Sequence, residues 1–230
     1  MSAAQAVKGW FVTGTDTGVG KTLIAAALTR ALVARGLRVA VMKPVASGSE
    51  PTAAGPRNAD ASTLMAAANV TAPYEIVNPY CFLPAIAPHI AAREAGVAID
   101  LALLRSRFDS LASAADCVVV EGAGGWLAPL GDVAAMADLA ATLRLPVLLV
   151  VGLRLGCLNH ALLSRESLAT RGAAFAGWIA NGIDPHFERA TENLATLSAH
   201  LGGSPLARIP FLEPGRDPPD LRQAAGRLCA

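Results

Sequence analysis

The chain has 230 residues, of which 53% are hydrophobic, and its formal net charge is +1 at pH 7. This length predicts a single domain over 1–230, and a charge so close to zero argues against nucleic-acid and membrane partners. The four cysteines lie far apart, and the longest apolar run, 147–153, is much shorter than the roughly 20 residues of a membrane span. Because the N-terminal residues also lack signal-peptide features, a cytoplasmic protein is predicted.

The first motif in the chain is a glycine-rich segment, Gly14-Thr15-Asp16-Thr17-Gly18-Val19-Gly20-Lys21-Thr22. It follows a short apolar strand predicted at 10–12 and leads into an Ala/Leu-rich helix predicted to end near Arg35. A strand, a glycine turn and a helix with Gly-Lys-Thr are typical of a phosphate-binding loop, whose backbone N–H groups and helix dipole bind the anion. Lys21 would reach the outer phosphates and the Thr22 hydroxyl would bind Mg²⁺. The spacing between the glycines is one residue longer than the common pattern.

The rest of the chain continues to alternate between strands and helices. Further strands are predicted over 37–42, 117–120, 146–151, 174–180 and 206–209. Helices are predicted over 60–69, 101–115, 134–143, 153–170, 185–201 and near 221–228, whereas 72–88 is predicted to be irregular. This alternation predicts an α/β fold, a doubly wound, mostly parallel sheet with helices on both faces. Ligands bind such sheets outside the carboxyl ends of the strands, so one site is expected at that edge.

Polar side chains at the predicted strand ends are the candidates for this site. Glu121 ends a strand of valines, where a buried charge needs a cation or several donors, which favours a metal ligand. Asp60 could bind the metal or only cap a helix. Lys43 would stabilise negative charge during group transfer, and Ser47 would hold a polar substrate or form a turn. Asn181 could bind an adenine edge or belong to a plain turn.

Taken together, the motifs resemble the dethiobiotin synthetase family. The matching segments run from residue 10 to about 212 and are 11–22, Lys43-Pro44-Val45-Ala46-Ser47-Gly48, Asn78-Pro79-Tyr80, Ala87-Pro88-His89, Val120-Glu121-Gly122-Ala123-Gly124-Gly125-Trp126, Gly156-Cys157-Leu158-Asn159-His160 and Ile209-Pro210. The longer phosphate loop is part of the family pattern. The resemblance implies a P-loop NTPase fold and a ligase of biotin biosynthesis.

The reaction that the resemblance implies is an ATP- and Mg²⁺-dependent ring closure. The substrates would be 7,8-diaminononanoate, CO₂ or bicarbonate, and ATP, and the products dethiobiotin, ADP and phosphate. The path would run through a carbamate and a mixed carbamic-phosphoric anhydride. Charge and positioning dominate catalysis in such phosphoryl transfer.

The resemblance also implies a role for individual residues. Catalysis would depend on Lys43, Lys21 and Thr17, and Mg²⁺ would bind Thr22, Asp60 and Glu121. The substrate would contact Thr17, Lys43, Ser47, Gly124, Leu153, Cys157, Asn159 and Asn193. ATP would contact Gly18, Val19, Gly20, Lys21, Thr22, Leu23, Asp60, Glu121, Gly122, Ala123, Gly124, Asn181, Gly182, Pro210, Phe211 and Leu212.

The family is homodimeric, and its members hold the substrate carboxylate with the neighbouring subunit. The segment 153–159, at the predicted start of a helix, would suit a carboxylate. Some members have an acidic residue where this chain has Gly18, so that side chain is not required for catalysis. Some have a tyrosine where this chain has Asn193, so the contact with the carboxylate would be shorter here.

Two other functions on the same scaffold are alternatives. An amide synthase of the cobyrinic acid type usually carries a glutaminase domain with a cysteine nucleophile, and the residues after 212 are too few to form one. A partitioning or positioning ATPase of the ParA and MinD type has a second lysine early in the loop, where this chain has Thr15-Asp16. Such switches also need a basic patch or a membrane helix, which this composition does not favour.

Overall fold

A parallel sheet of six strands forms the centre of the computed structural model, which describes residues 9–213 and 219–230. The strands are β1 Gly9–Gly14, β2 Val39–Met42, β3 Val45–Ser47, β4 Tyr80–Phe82, β5 Cys117–Glu121, β6 Val147–Leu153, β7 Phe175–Gly182 and β8 Ala207–Ile209. The helices are α1 Lys21–Val33, α2 Ala59–Ala67, α3 Tyr74–Val77, α4 Pro88–Glu94, α5 Leu101–Ala114, α6 Met136–Leu143, α7 Cys157–Thr170, α8 Ala190–His200 and α9 Arg222–Leu228. The expectation about the N-terminal eight residues lies outside the described part, and the single domain over 1–230 stays a prediction.

The strand order of the large sheet is β2-β5-β1-β6-β7-β8, and each of these neighbouring pairs is parallel. The chain leaves β1 in one direction to form β2 and later fills the other side with β6 to β8. This reversal makes a crevice at the carboxyl end of β1, where ligands bind in doubly wound sheets. The register pairs Val12 with Glu121, so the end of β5 lies beside the glycine-rich loop.

Helices cover both faces of the sheet. Along β6, Leu148 and Val150 belong to the larger apolar cluster, which α1, α5 and α6 also join. The alternate residues, Leu149 and Val151, belong to a second cluster with side chains of α7 and α8. Because successive strand residues point to opposite faces, this division shows a sheet buried on both sides. The predicted α/β fold is therefore confirmed.

The segment 72–88, which was predicted to be irregular, contains the short helix α3 and the strand β4, and α4 begins at its last residue. That prediction is wrong because these elements depend on distant partners rather than on local pattern. β4 pairs in parallel with β3, also missed, in a separate two-stranded sheet. The Asn78 side-chain amide donates to the carbonyl oxygens of Lys43 and Tyr80, at 2.6 and 3.2 Å, and so fixes the segment against the end of β2.

Three helix starts also differ from the predictions. The helix expected from 153 begins at Cys157, because β6 continues to Leu153 and Gly156 takes a left-handed conformation with φ 92°. The helix expected from 185 begins only at Ala190. The N-cap of α2 is Asn58, whose side-chain oxygen accepts from two backbone N–H groups of the first turn, and not Asp60. Among the helices that the structure describes, none is both long and apolar enough to cross a bilayer.

The second face of the sheet gives a direct test of the packing. Leu149→Ala should lower the free energy of unfolding by about 2–5 kcal/mol, because it leaves a cavity between β6 and the helices α7 and α8. Urea titration followed by circular dichroism would measure the change. Val133→Ala is the control, since Val133 is 97% exposed and its truncation should matter little. Equal effects of the two changes would contradict this description of the core.

Candidate active site

The glycine-rich loop joins β1 to α1 in a conformation that only glycine accepts at one point. Gly20, the N-cap of α1, has φ 88°, and a Cβ there would lie 2.2 Å from Nδ2 of Asn181. That Asn181 amide donates to the carbonyl oxygen of Val19 at 2.9 Å. The end of β7 therefore supports the loop from beneath, and the first N–H groups of α1 emerge beside it. Such an arrangement is suited to bind a phosphate.

Lys21, the first residue of α1, folds back over the loop. Its Nζ donates to the backbone oxygen of Asp16 at 2.8 Å, and the residue is only 7% exposed. Burial, with the positive charge of Lys43 nearby, lowers the pKa of Lys21 to about 8. An anionic ligand beside this ammonium group would stabilise its charged form.

A buried ion-pair cluster lies next to the loop, at the ends of β2 and β5. The Nζ of Lys43 donates to Oε1 of Glu121 at 2.6 Å and to Oδ2 of Asp60 at 2.8 Å. Oε1 of Glu121 also accepts from the Thr22 hydroxyl at 2.8 Å. The side chains of Lys43 and Glu121 are 4% and 1% exposed, whereas that of Asp60 is 44% exposed. Asp60 is therefore the member of the cluster that faces solvent.

The opposite charges in this cluster stabilise one another's ionised forms. Burial alone would lower the pKa of Lys43, but the carboxylates of Glu121 and Asp60 outweigh it and hold that pKa above its usual value. Burial would likewise raise the pKa of Asp60, and the charge and hydrogen bond of Lys43 reverse that direction. The lysine is thus charged and Asp60 ionised at neutral pH.

One oxygen of Glu121 stands out. Its Oε2 is buried and has no hydrogen-bond partner among the residues that the structure describes. A carboxylate oxygen left in this way normally has a donor or a cation beside it. Hard oxygen ligands from Thr22, Asp60 and Glu121 fit Mg²⁺. In the described part of the chain, no cluster of three or more His, Cys, Asp or Glu could hold a metal, so such an ion would depend on the oxygens of a further ligand.

A cavity of about 640 Å³ opens over the loop and the ion-pair cluster. The predicted site residues that line it are Thr17, Gly18, Gly20, Lys21, Thr22, Lys43, Ser47, Asp60, Glu121, Ala123 and Gly124. The strand ends therefore bring the two lysines, the predicted metal ligands and half of the predicted substrate contacts into one space. Ala46 and 85–88 form an apolar wall of the cavity, and none of these residues was predicted to belong to the site. The Ala87-Pro88-His89 motif in the sequence could have indicated it, because Ala87 and Pro88 belong to this wall.

The residues predicted to border the base lie at the ends of β7 and β8. Gly182 is packed so closely that a Cβ would lie 2.7 Å from the backbone nitrogen of Phe211, which places it against 210–212. Asn181 on β7 lies opposite Ile209 on β8, and its Nδ2 already donates a hydrogen bond to Val19 of the glycine-rich loop. These residues do not line the cavity as the described residues define it. Val19, Leu23 and Gly122 are not among its lining residues either. Their roles in ATP binding stay predictions.

Four predicted substrate contacts lie away from the cavity: Leu153, Cys157, Asn159 and Asn193. The Cys157 thiol packs in the α7 and α8 cluster, where burial raises its pKa, and its backbone N–H donates to Arg154 at 3.1 Å. Asn159 is exposed on the first turn of α7, and the Asn193 amide donates to its own helix at Arg189. The structure does not bring these four residues to the cavity of the same chain.

The sequence is similar to that of known proteins over most of its length. A family described as "AAA domain" matches residues 8–218. "ATP-dependent dethiobiotin synthetase BioD" from Pseudomonas aeruginosa is 55% identical over 205 residues, which are 89% of this chain and 90% of that protein. A protein of the same name from Xylella fastidiosa is 48% identical over 217 residues, 94% of this chain and 96% of that protein. The chain belongs to the dethiobiotin synthetase family.

This membership confirms the resemblance drawn from the motifs, and with it the prediction of an enzyme. The MinD cell division protein from Aquifex aeolicus aligns with a TM-score of 0.60 over 96% of this chain and 95% of that one, at 15% identity. At that identity the likeness shows the fold alone. It agrees with the doubly wound P-loop sheet of this dethiobiotin synthetase family member and gives no argument for a positioning ATPase.

The buried pair at the centre of the site leads to a prediction about stability. Lys43→Met should lower the free energy of unfolding by about 3–5 kcal/mol, because it leaves the Glu121 charge buried without a cation. The double variant Lys43→Met/Glu121→Gln should recover much of this loss. Urea unfolding without nucleotide or Mg²⁺ would measure both.

Arg222→Met is the matched control, because Arg222 pairs with Asp220 at the surface and both side chains are more than half exposed. Loss of such an exposed pair should change the free energy of unfolding little. If Lys43→Met is no less stable than Arg222→Met, then the removal of Lys43 does not leave an uncompensated charge on Glu121, and the prediction is wrong.

Proposed function

We propose that the chain catalyses the ATP- and Mg²⁺-dependent carboxylation and ring closure of 7,8-diaminononanoate with CO₂ to give dethiobiotin, ADP and phosphate. The observation that carries the proposal is that Lys21 and Lys43 line one cavity with Thr17, Ser47 and Gly124. A phosphate on the loop and a substrate near Ser47 would then share two positive charges. Membership of the dethiobiotin synthetase family supports this reaction over others on the same scaffold.

The nucleotide would lie along the carboxyl edge of the sheet. Residues 18–23 would bind its phosphates, and Lys21 would exchange its contact with Asp16 for a phosphate oxygen. The adenine would lie near Asn181, Gly182 and 210–212, which are adjacent in the structure. Thr22, Asp60 and Glu121 would hold Mg²⁺, and the strongest indication is Oε2 of Glu121, which has no partner among the residues that the structure describes. The ion supplies positive charge that neutralises the phosphate oxygens during transfer.

The diamine and its carbamate would occupy the part of the cavity between Thr17, Ser47 and the backbone at Gly124. The Thr17 hydroxyl is near this backbone, since a Cβ on Gly124 would lie 3.8 Å from its Oγ1. The alanines and Ile86 that also line the cavity would offer apolar contact to a methylene chain. The end of the substrate that carries the amines and the carbamate would thus face the lysines, and its methylene chain and carboxylate would point toward the cavity mouth.

The reaction would proceed in three steps. One substrate amine takes up CO₂ as a carbamate and loses a proton. A carbamate oxygen then attacks the γ-phosphorus of ATP, and ADP leaves. The second amine attacks the carbonyl carbon of the resulting anhydride, the bond from that carbon to the phosphate oxygen breaks, and the amine loses a proton as the ureido ring closes and phosphate leaves. Lys43 and Lys21 would stabilise the charge on the phosphoryl group as it moves, which is the main task of the protein in such transfers.

A homodimer would complete the site. Leu153, Cys157, Asn159 and Asn193 lie away from the cavity of their own chain, which fits a role at the substrate carboxylate of a neighbouring subunit. Asn159 at the first turn of α7 is the exposed residue of this group. We further propose that the protein acts as one domain in the cytoplasm, without nucleic-acid or membrane partners.

The decisive experiment incubates the purified protein with ATP, Mg²⁺, bicarbonate and 7,8-diaminononanoate. Dethiobiotin, identified by mass spectrometry, and ADP should form together, and ADP release should depend on the diamine. ADP release that ignores the diamine and rises with DNA or lipid vesicles would contradict the proposal and favour an ATPase switch.

The double variant Lys43→Met/Glu121→Gln, which is expected to fold, tests the role of this pair in the same assay. Its turnover should fall by a factor on the order of 10²–10³, because charge stabilisation in the transition state is lost. Turnover close to that of the unaltered protein would remove the assigned role of this pair.

A further inference from the structure

A closed ring of hydrogen bonds connects the two side chains that approach each other at the cavity. At the front, Nζ of Lys43 contacts Oδ2 of Asp60 at 2.8 Å. At the back, the backbone oxygen of Lys43 accepts from the Asn78 amide at 2.6 Å, and the Asn78 oxygen accepts from the Tyr74 hydroxyl at 3.0 Å. The same hydroxyl accepts from the backbone N–H of Asn58 at 2.7 Å. The Asn58 side chain caps the N–H of Asp60 at 3.1 Å and closes the ring.

The Tyr74 hydroxyl joins the two arms of this ring at the back. One arm carries Lys43 at the end of β2, and the other is the first turn of α2, which carries Asp60. Asn58 and Asn78 are both almost fully buried, so solvent cannot easily replace the hydroxyl as their partner. Arg57 lies over the Tyr74 ring, 4.0 Å from its centre, and restricts its position. The hydroxyl is thus a bridge between the two arms, and its removal would leave Asn58 and Asn78 each without one buried partner.

Asp60 is held at the cavity by few direct contacts. Its side chain is 44% exposed, and at the cavity it contacts Lys43, at 2.8 Å, and the Thr22 hydroxyl. Partners behind the groups that hold a metal orient those groups, and their loss lowers metal affinity or activity. The Asn78-Pro79-Tyr80 motif, which the proposed mechanism leaves without a task, supplies one member of this second layer of contacts.

We infer that Tyr74 is a positioning residue, whose hydroxyl sets the distance between Lys43 and Asp60 and so adjusts the site for a magnesium nucleotide. This inference rests on the proposed function for the identity of the ligand. Tyr74 is not among the described residues that line the cavity. Its effect is transmitted through Asn78 to one group and through Asn58 to the other.

The test compares Tyr74→Phe with Tyr80→Phe. The Tyr80 hydroxyl accepts from the backbone N–H of Asp100 at 2.9 Å, and Asp100 caps α5 as Asn58 caps α2. Each variant therefore removes one hydroxyl that binds the N-cap residue of a helix, but of these two hydroxyls only that of Tyr74 belongs to the ring. Calorimetry would measure the binding of adenylyl-imidodiphosphate over a series of Mg²⁺ concentrations, and thermal unfolding would be recorded beside it.

Tyr74→Phe should raise the Mg²⁺ concentration required for half-maximal binding by roughly 10- to 100-fold. Tyr80→Phe should leave it unchanged, even if both variants unfold at a similarly lower temperature. If the two variants bind the nucleotide analogue equally well at every Mg²⁺ concentration, the positioning role is wrong and Tyr74 serves only stability.

A second comparison places Tyr74→Phe in an Asp60→Asn background. Because the hydroxyl acts on the contact between Lys43 and Asp60, which Asp60→Asn already weakens, its loss should then cause little further change, whereas additive effects would contradict the inference. Failure of the proposed function would look different. The unaltered protein would bind the analogue with Mg²⁺ but form no dethiobiotin, and the difference between the two tyrosine variants would still be measurable.

Discussion

The contact between the Lys43 ammonium and the Glu121 carboxylate is the constraint on which the rest of the site depends. Both groups are almost completely excluded from water, and their nearest atoms are 2.6 Å apart. Removing two such charges from water costs several kcal/mol for each ion, so the pair is tolerable only with good geometry and further partners. Thr22 and Asp60 supply those partners. The carboxyl ends of β2 and β5, the start of α1 and the first turn of α2 are thereby held together.

The sheet makes this contact possible. β5 lies between β1 and β2, so the residues that end these three strands emerge side by side. The parallel register sets Glu121 against Val12, two residues before the glycine-rich loop begins. A shift by one residue would turn the Glu121 side chain to the other face and separate it from Lys43. The apolar strands therefore do more than fill the core, because their register determines which charges meet.

Local pattern was sufficient to predict the phosphate loop, the alternating elements and the buried position of Glu121. The loop has a fixed spacing, and a carboxylate after a run of valines is unusual enough to indicate a special environment. The Lys43–Glu121 contact depends on strand order, which no short segment contains. Asn58 was missed as the cap of α2, since Asp60 two residues later is also a typical cap. The segment 72–88 was missed because Asn78 and Tyr74 stabilise it through distant partners.

The arrangement of charges is better explained by a ligand than by stability. Two lysines and two carboxylates share a cavity, and burial already lowers the pKa of Lys21 to about 8. Apolar side chains would stabilise this edge of the sheet with less desolvation. A polyphosphate beside Lys21 would favour its charged form, and a cation beside Oε2 of Glu121 would satisfy an oxygen that has no partner among the described residues. Features that are unfavourable for folding are thus those that would bind a magnesium nucleotide, as expected where function rather than stability determined the residues.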